Sequence, residues 1–212
     1  VGRSLLLFMP VNTIYDAGCC SVFSCGIYWR CVTEKKLAYG IRVLVKTRPY
    51  FSRSTLLSLY HSFVHSHFTY GITCWGNTYN THISSLQIVQ NHAIRLITSS
   101  PRFSNAKFLL HENNILTLTE LTKFNLGIFF YRLLNNQLPP TIFPSSDLVI
   151  YSNTRFALNN NFLLPSIRTN YGKQTVKFTS ISLWNTLPLN IKSISSFHQF
   201  KKQYKLYLLH AD

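Results

Sequence analysis

The stretch Thr55–Gly76, TLLSLYHSFVHSHFTYGITCWG, carries the strongest pattern in the chain. Apolar side chains recur at helical spacing through Leu56, Tyr60, Phe63, Val64 and Phe68, and the pattern stops at Gly71, Trp75 and Gly76. Steps of three and four residues place these side chains on one face, which predicts an amphipathic helix. Ser52 or Ser54 is placed to cap its start, because a serine hydroxyl accepts from a free amide of the first turn.

On the N-terminal side, Leu37, Ile41, Leu44 and Val45 fall at helical intervals, with Arg42 and Lys46 on another face and Pro49 ending the helix. On the C-terminal side, Trp75-Gly76-Asn77 reads as a loop and Thr81 as the cap of a helix buried through Ile83, Leu86, Val89, Ala93 and Ile97. Gln87, Asn91 and Arg95 lie toward its other side, and Pro101 follows its end. Thr117-Leu118-Thr119-Glu120 fits a capping box, in which threonine and glutamate three apart each satisfy the other's backbone amide. The helix it opens, through Leu121, Phe124, Ile128, Phe129 and Leu133, is expected to be the longest after the first and to end before Pro139-Pro140.

Residues 139–165, rich in Pro, Asn and Ser, read as a linker. Beyond it, Gly172 marks a turn and Thr175, Val176 and Phe178 suggest short strands, while Trp184–Pro188 closes a helical turn. A final amphipathic helix from about Ser196 sets Phe197, Phe200, Tyr204 and Leu208 against Lys201, Lys202 and Lys205. Residues 1–34 keep no sustained period and stand as an unassigned leader. The expected fold is mainly α: a helical bundle over 35–138, then a small α+β segment with short strands over 166–212.

Charge is the most informative bulk property. The chain of 212 residues has 21 Lys and Arg against 6 Asp and Glu, a formal net charge of +15. Such a field attracts polyanions, chiefly nucleic acid and secondarily anionic membrane. The six acids, Asp16, Glu34, Glu112, Glu120, Asp147 and Asp212, are scattered, whereas a two-metal polymerase or nuclease needs paired carboxylates. Cys19, Cys20, Cys25, Cys31 and Cys74 form no C-x-x-C pair, and no Asn-x-Ser/Thr acceptor occurs. Pro10 cuts short the apolar run Leu5–Met9, and no run approaches the ~18 residues of a transmembrane span. The expected setting is intracellular, nuclear or cytoplasmic, and not secreted. A start at Val1 reads as a fragment of something longer.

Most catalytic patterns are absent. His61 and His65 sit one helical turn apart, but Ser62 stands where the zinc-protease pattern requires Glu. Neither G-x-S-x-G nor a phosphate-binding Gly-rich loop is present. What remains is cationic and aromatic. Arg42, Lys46, Arg48 and Arg53 surround the first helix boundary, Arg95 lies on the polar side of its helix, and Arg168 and Lys173 bracket Thr169-Asn170-Tyr171-Gly172. Their cations can contact phosphates and Tyr171 can stack on a base or sugar, although for any one Lys or Arg taken singly solvated surface is the stronger reading. No residue set for a metal or cofactor emerges.

Several motifs then fall in order: KKLAYGIRVLVKTRPYFSRSTLLSLYHSFVHSHFTYGITCWG, LQIVQNHAIRLI, NNILTLTEL, YRLLNNQLP, RTNYGK, SLWNTLP and SFHQFKKQYKLYLL. Together they resemble the thumb and post-thumb region of non-LTR (LINE), jockey- and CR1-like retrotransposon reverse transcriptases. The resemblance implies a parent that copies RNA into DNA at a nicked target, with an endonuclease and a palm whose aspartates hold Mg2+, both lying before Lys35. It implies a thumb-like bundle over 35–138 and phosphate contacts from Arg42, Lys46, Arg48 and Arg53 to primer-template. The chain itself is then a noncatalytic piece whose partners are RNA, DNA and the palm portion of its parent. Two alternatives stay open: a decayed transposon-derived reading frame, and a basic peripheral membrane or protein-interaction module.

Overall fold

The computed structural model describes residues 36–139 and 159–210. The leader at 1–34 and most of the 139–165 linker lie outside the described residues. The protein is mainly α. Helix α1 covers residues 36–47. Helix α2 (Arg53–Tyr60) runs on through a π-helical turn (His61–His65) into α3 (Ser66–Thr69), and α4 (Ile72–Trp75) follows. Helices α5 (Asn80–Thr98), α6 (Ala106–Glu112) and α7 (Leu118–Leu134) complete the first part. After residue 158 come α8 (Asn170–Lys173), α9 (Val176–Thr186), α10 (Leu189–Lys192) and α11 (Phe197–His210).

Helix α7 is the hub, with α4, α5, α9 and α11 all packed on it. The capping box forms: the Glu120 amide donates to Thr117 Oγ1, and the Thr117 amide donates to Glu120 Oε2 at 2.9 Å. Burial runs around most of the helix, through Leu118, Leu121, Thr122, Phe124, Leu126, Gly127, Phe130, Tyr131 and Leu133, and leaves Thr119, Lys123 and Arg132 exposed. A helix apolar on most sides belongs in an interior. Ile128 and Phe129, expected in the core, are only half-buried. At 19 residues α5 outlasts α7 at 17, contrary to the expected order of lengths.

The C-terminal part closes on α7 through aromatic rings. Tyr131 stacks on Phe200 at 4.2 Å between centroids, and Phe130 lies 5.2 Å from Trp184. Tyr204 lies so close to Gly127 that a Cβ there would overlap its ring, and its hydroxyl donates to the Lys123 carbonyl at 2.9 Å. One hydrophobic cluster runs from Leu37 to Leu208. Asn185 ties the extended residues beside Phe162 to α9, accepting from the Phe162 amide at 2.9 Å and donating to its carbonyl at 2.8 Å.

The continuous helix from α2 through the π turn to α3 is buried at Leu56, Tyr60, Val64 and Phe68, and Ile72 of α4 is also in the core. Every step is four residues. In an α-helix of 3.6 residues per turn each such step overshoots by about 40°, so the stripe would wind off the core. The π turn at His61–His65, with its wider i→i+5 spacing, rotates the stripe back. Phe63, expected in the stripe, is 36% exposed and meets Tyr39 edge-on instead. Gly71 then reverses the chain at φ 61°, a backbone conformation in which glycine carries no steric cost.

Three local expectations are corrected. Ser52 occupies the N-cap position, but its hydroxyl bonds the hydroxyls of Ser54 and Thr55, not a backbone amide. The N-cap position of helix α5 is Tyr79, two residues before Thr81, and no side chain caps it. The short strands expected around residues 175–178 are absent: the described residues contain no strand, and Val176 and Phe178 lie in the first turn of α9. Their β propensity yields to the burial of Ser180, Ile181 and Trp184 on the inner face of that helix.

Gly127→Ala is expected to destabilise the protein by about 1–3 kcal/mol through overpacking against Tyr204. Alanine would otherwise gain up to about 1 kcal/mol in a helix interior, so the sign of the change decides. Denaturant unfolding measures it, and a stabilised variant would refute the close packing of α7 on α11.

Candidate nucleic-acid interface

Helix α5 presents a second, outward face. Ile88, His92, Arg95 and Leu96 are spaced i, i+4, i+7 and i+8, which aligns them along one side. With Arg48 from the turn after α1 and Ser100 and Arg102 from the loop after α5, they line an open groove of about 520 Å³. Three guanidinium groups and one imidazole converge there. Among the described residues, no carboxylate lines it.

The loop that carries Arg102 is built turn by turn. Ser99, at φ 54°, ends α5, and the Thr98 and Ser100 hydroxyls pair at 2.8 Å. The Ser104 hydroxyl donates to the Pro101 carbonyl at 2.7 Å, and Asn105 Oδ1 caps α6 by accepting from the amides of Lys107 and Phe108. Arg95 clamps the loop, donating to the Ser104 carbonyl from Nε at 3.2 Å and from Nη2 at 3.0 Å. Arg48 and Arg102 are exposed at the rim.

Beneath the groove, a buried amide network fixes α5. Gln90 is fully buried and donates to the Leu116 carbonyl at 2.9 Å and to the Tyr60 hydroxyl at 3.2 Å. Gln87 donates to Gln90 Oε1 and Asn91 Oδ1, each at 2.8 Å, and accepts from the Leu118 amide at 2.9 Å. An unsatisfied buried amide costs about 1–3 kcal/mol, so this network holds α5, α2 and the start of α7 in one register.

Of the residues singled out in the sequence, the fold brings Arg48 and Arg95 to one groove. Arg42 and Lys46 are exposed on α1 outside that lining. Arg53 bonds Asn113 Oδ1 at 3.0 Å and pairs with Glu112 at 3.6 Å, tying the start of α2 to the end of α6. Arg168, Tyr171 and Lys173 form a separate exposed surface at α8, where Tyr171 meets Tyr79 edge-on at 6.4 Å. Arg102 and His92 join the groove without having been singled out. The helical step from Ile88 to His92 to Leu96 was the signal that could have found His92.

Both carboxylates among the described residues have structural partners. Glu112 pairs with Arg53, and Glu120 caps α7 while lying 3.1 Å from His111 Nε2. Among the described residues, no group of three His, Cys, Asp or Glu gathers at one point, and no helix is long and apolar enough to cross a membrane. Comparisons with protein-family models, with curated proteins and with solved structures each gave no match to this chain.

The histidine pair of the π turn is a distinct feature. The His61 and His65 rings stand 5.1 Å apart at 82°, and the Tyr60 ring lies 5.9 Å from His65. Nδ1 of His65 is buried with no hydrogen-bond partner. Burial, then the neighbouring charges of His61 and Lys205, pull His65 down to about 4. The unfolded chain protonates this imidazole near 6.5, so between those values it binds more protons than the folded state. Stability therefore falls as pH drops from about 6.5 to about 4, by an amount on the order of 3 kcal/mol for His65. Thermal melts across that range should show the decline, and His65→Gln should flatten it. A variant that declines as steeply as the wild type would contradict this assignment.

Proposed function

We propose that this chain binds nucleic-acid backbone through the Arg48–Arg95–Arg102 groove, as a noncatalytic thumb-region piece of a retrotransposon reverse transcriptase. The observation that carries the reading is the convergence of cations from three separate segments on one groove, with no carboxylate among its described lining residues. Guanidinium groups suit phosphate because their planar N–H donors can bond two of its oxygens at once. His92 adds a further donor at the same rim. The mainly helical fold and the formal charge of +15 support the reading, and so does the order of sequence motifs that resembles the reverse-transcriptase thumb.

In this reading the partners are RNA, DNA primer-template and the palm portion of the parent polymerase, whose aspartates would hold the Mg2+ ions. Arg48 and Arg102 make the phosphate contacts, while Arg95 positions the loop that presents Arg102. Arg42 and Lys46 extend the positive surface along α1, and Arg53 acts structurally.

Titration of labelled RNA at several salt concentrations tests the proposal. Affinity should fall steeply with salt, and replacing Arg48 and Arg102 with Gln should each lower the slope of log K against log salt by about 1. Absent binding, or binding indifferent to salt, would overturn it.

A further inference from the structure

We infer that the cleft on the opposite side of Arg95 takes an unpaired nucleobase stacked on Phe103, so that the chain engages single-stranded nucleic acid. The inference rests on the groove reading above and extends it from backbone to base. Phe103 follows Arg102 directly, and its side chain is 96% exposed, more than any other large apolar residue described. The loop beneath it is held by Arg95, Pro101 and Asn105, so this exposed ring projects from a fixed backbone.

Phe103 lines a second open cleft, of about 710 Å³, between α5 and the starts of α6 and α7. Arg95 lines both this cleft and the arginine groove, so the two lie on either side of one guanidinium. The chemistry of the second cleft differs from that of the first. Asn80 supplies a side-chain amide whose paired donor and acceptor match the hydrogen-bonding edges of bases, and Asn91 and Asn105 add Nδ2 donors, while Gln87 is engaged within the fold. Gln87 donates to Asn91 Oδ1, which fixes that amide and leaves its Nδ2 as the donor for a ligand. The one carboxylate of the cleft, Glu120, is already engaged by His111 and the Thr117 amide.

Phosphate on the arginine side, an aromatic face at the rim and amides beyond it follow the order of groups in a single nucleotide. A paired base inside a duplex has both faces covered and its pairing edge occupied, so it cannot use Phe103 in this way. An unpaired base can, because every base offers a π-face.

Fluorescence anisotropy of the full chain with a short single-stranded RNA, and with a blunt duplex of the same sequence, separates the two layers. Phe103→Ala should weaken single-strand binding by about 5- to 150-fold, the loss of one stacked base, while leaving duplex affinity unchanged. Phe103→Trp should restore it, and Arg102→Gln should weaken both ligands. If Phe103→Ala matches the wild type while Arg102→Gln weakens binding, the base cleft is refuted and the groove stands. Equal weakening of both ligands by Phe103→Ala also refutes base stacking. Failure of the wild type to bind either ligand would overturn the groove and the cleft together.

Discussion

The contact between Tyr204 and Gly127 holds the two ends of the fold together. Helix α7 is apolar on nearly every side, and a single layer of helices cannot cover it. Helices α4 and α5 bury one side, and α9 and α11 bury the other. The absence of a side chain at Gly127 lets α11 approach to ring contact, and the Tyr204 hydroxyl reaches the Lys123 carbonyl only because of that approach. The stacking of Tyr131 on Phe200, with Trp184 tilted against Phe200, accompanies it. A phenolic group so deeply placed has its ionisation pushed up by burial, and the same holds for Tyr60 in the other half of the core.

This core also determines where charge can go. With the interior given to aromatic rings and one amide network, most of the cations are left to the surface, and the two described carboxylates tie helix ends together. Among the described residues, Lys192 is the exception. It is buried, and its ammonium is 2.7 Å from Asn161 Oδ1, at a cost that pulls its ionisation down. The arginine groove arises because α5 is pinned on its inner face by Gln90 and its outer face is left open. Its loop, clamped by Arg95, then brings Arg102 beside Arg48.

Local chemistry was legible in the sequence. The capping box at Thr117 and Glu120 formed as read, because both of its bonds lie within one turn. The terminal helix buried Phe200, Tyr204 and Leu208 as their spacing required. Features that depend on distant partners were not legible. The π turn answers a core that demands burial at every fourth residue, and Phe63 falls out of the stripe for that reason. Val176 and Phe178 form helix because their neighbours Ile181 and Trp184 must reach α7. Gln90, polar and fully buried, gave no signal, since its partners Tyr60 and Leu116 are remote in sequence. The candidate site was half legible: Arg48 and Arg95 stood out as cations, but only the fold shows that they share a groove with Arg102 and that Arg53 is occupied elsewhere.

The proposed binding places nucleic acid along α5 and the loop after it. Ultraviolet crosslinking of the full chain to RNA, followed by mass-spectrometric mapping of the modified peptides, locates the contact without any substitution. The account predicts crosslinks concentrated at residues 88–105 and around Arg48. Crosslinks confined to the lysines of α11 or to the α8 surface, with none at α5 or its loop, would contradict it.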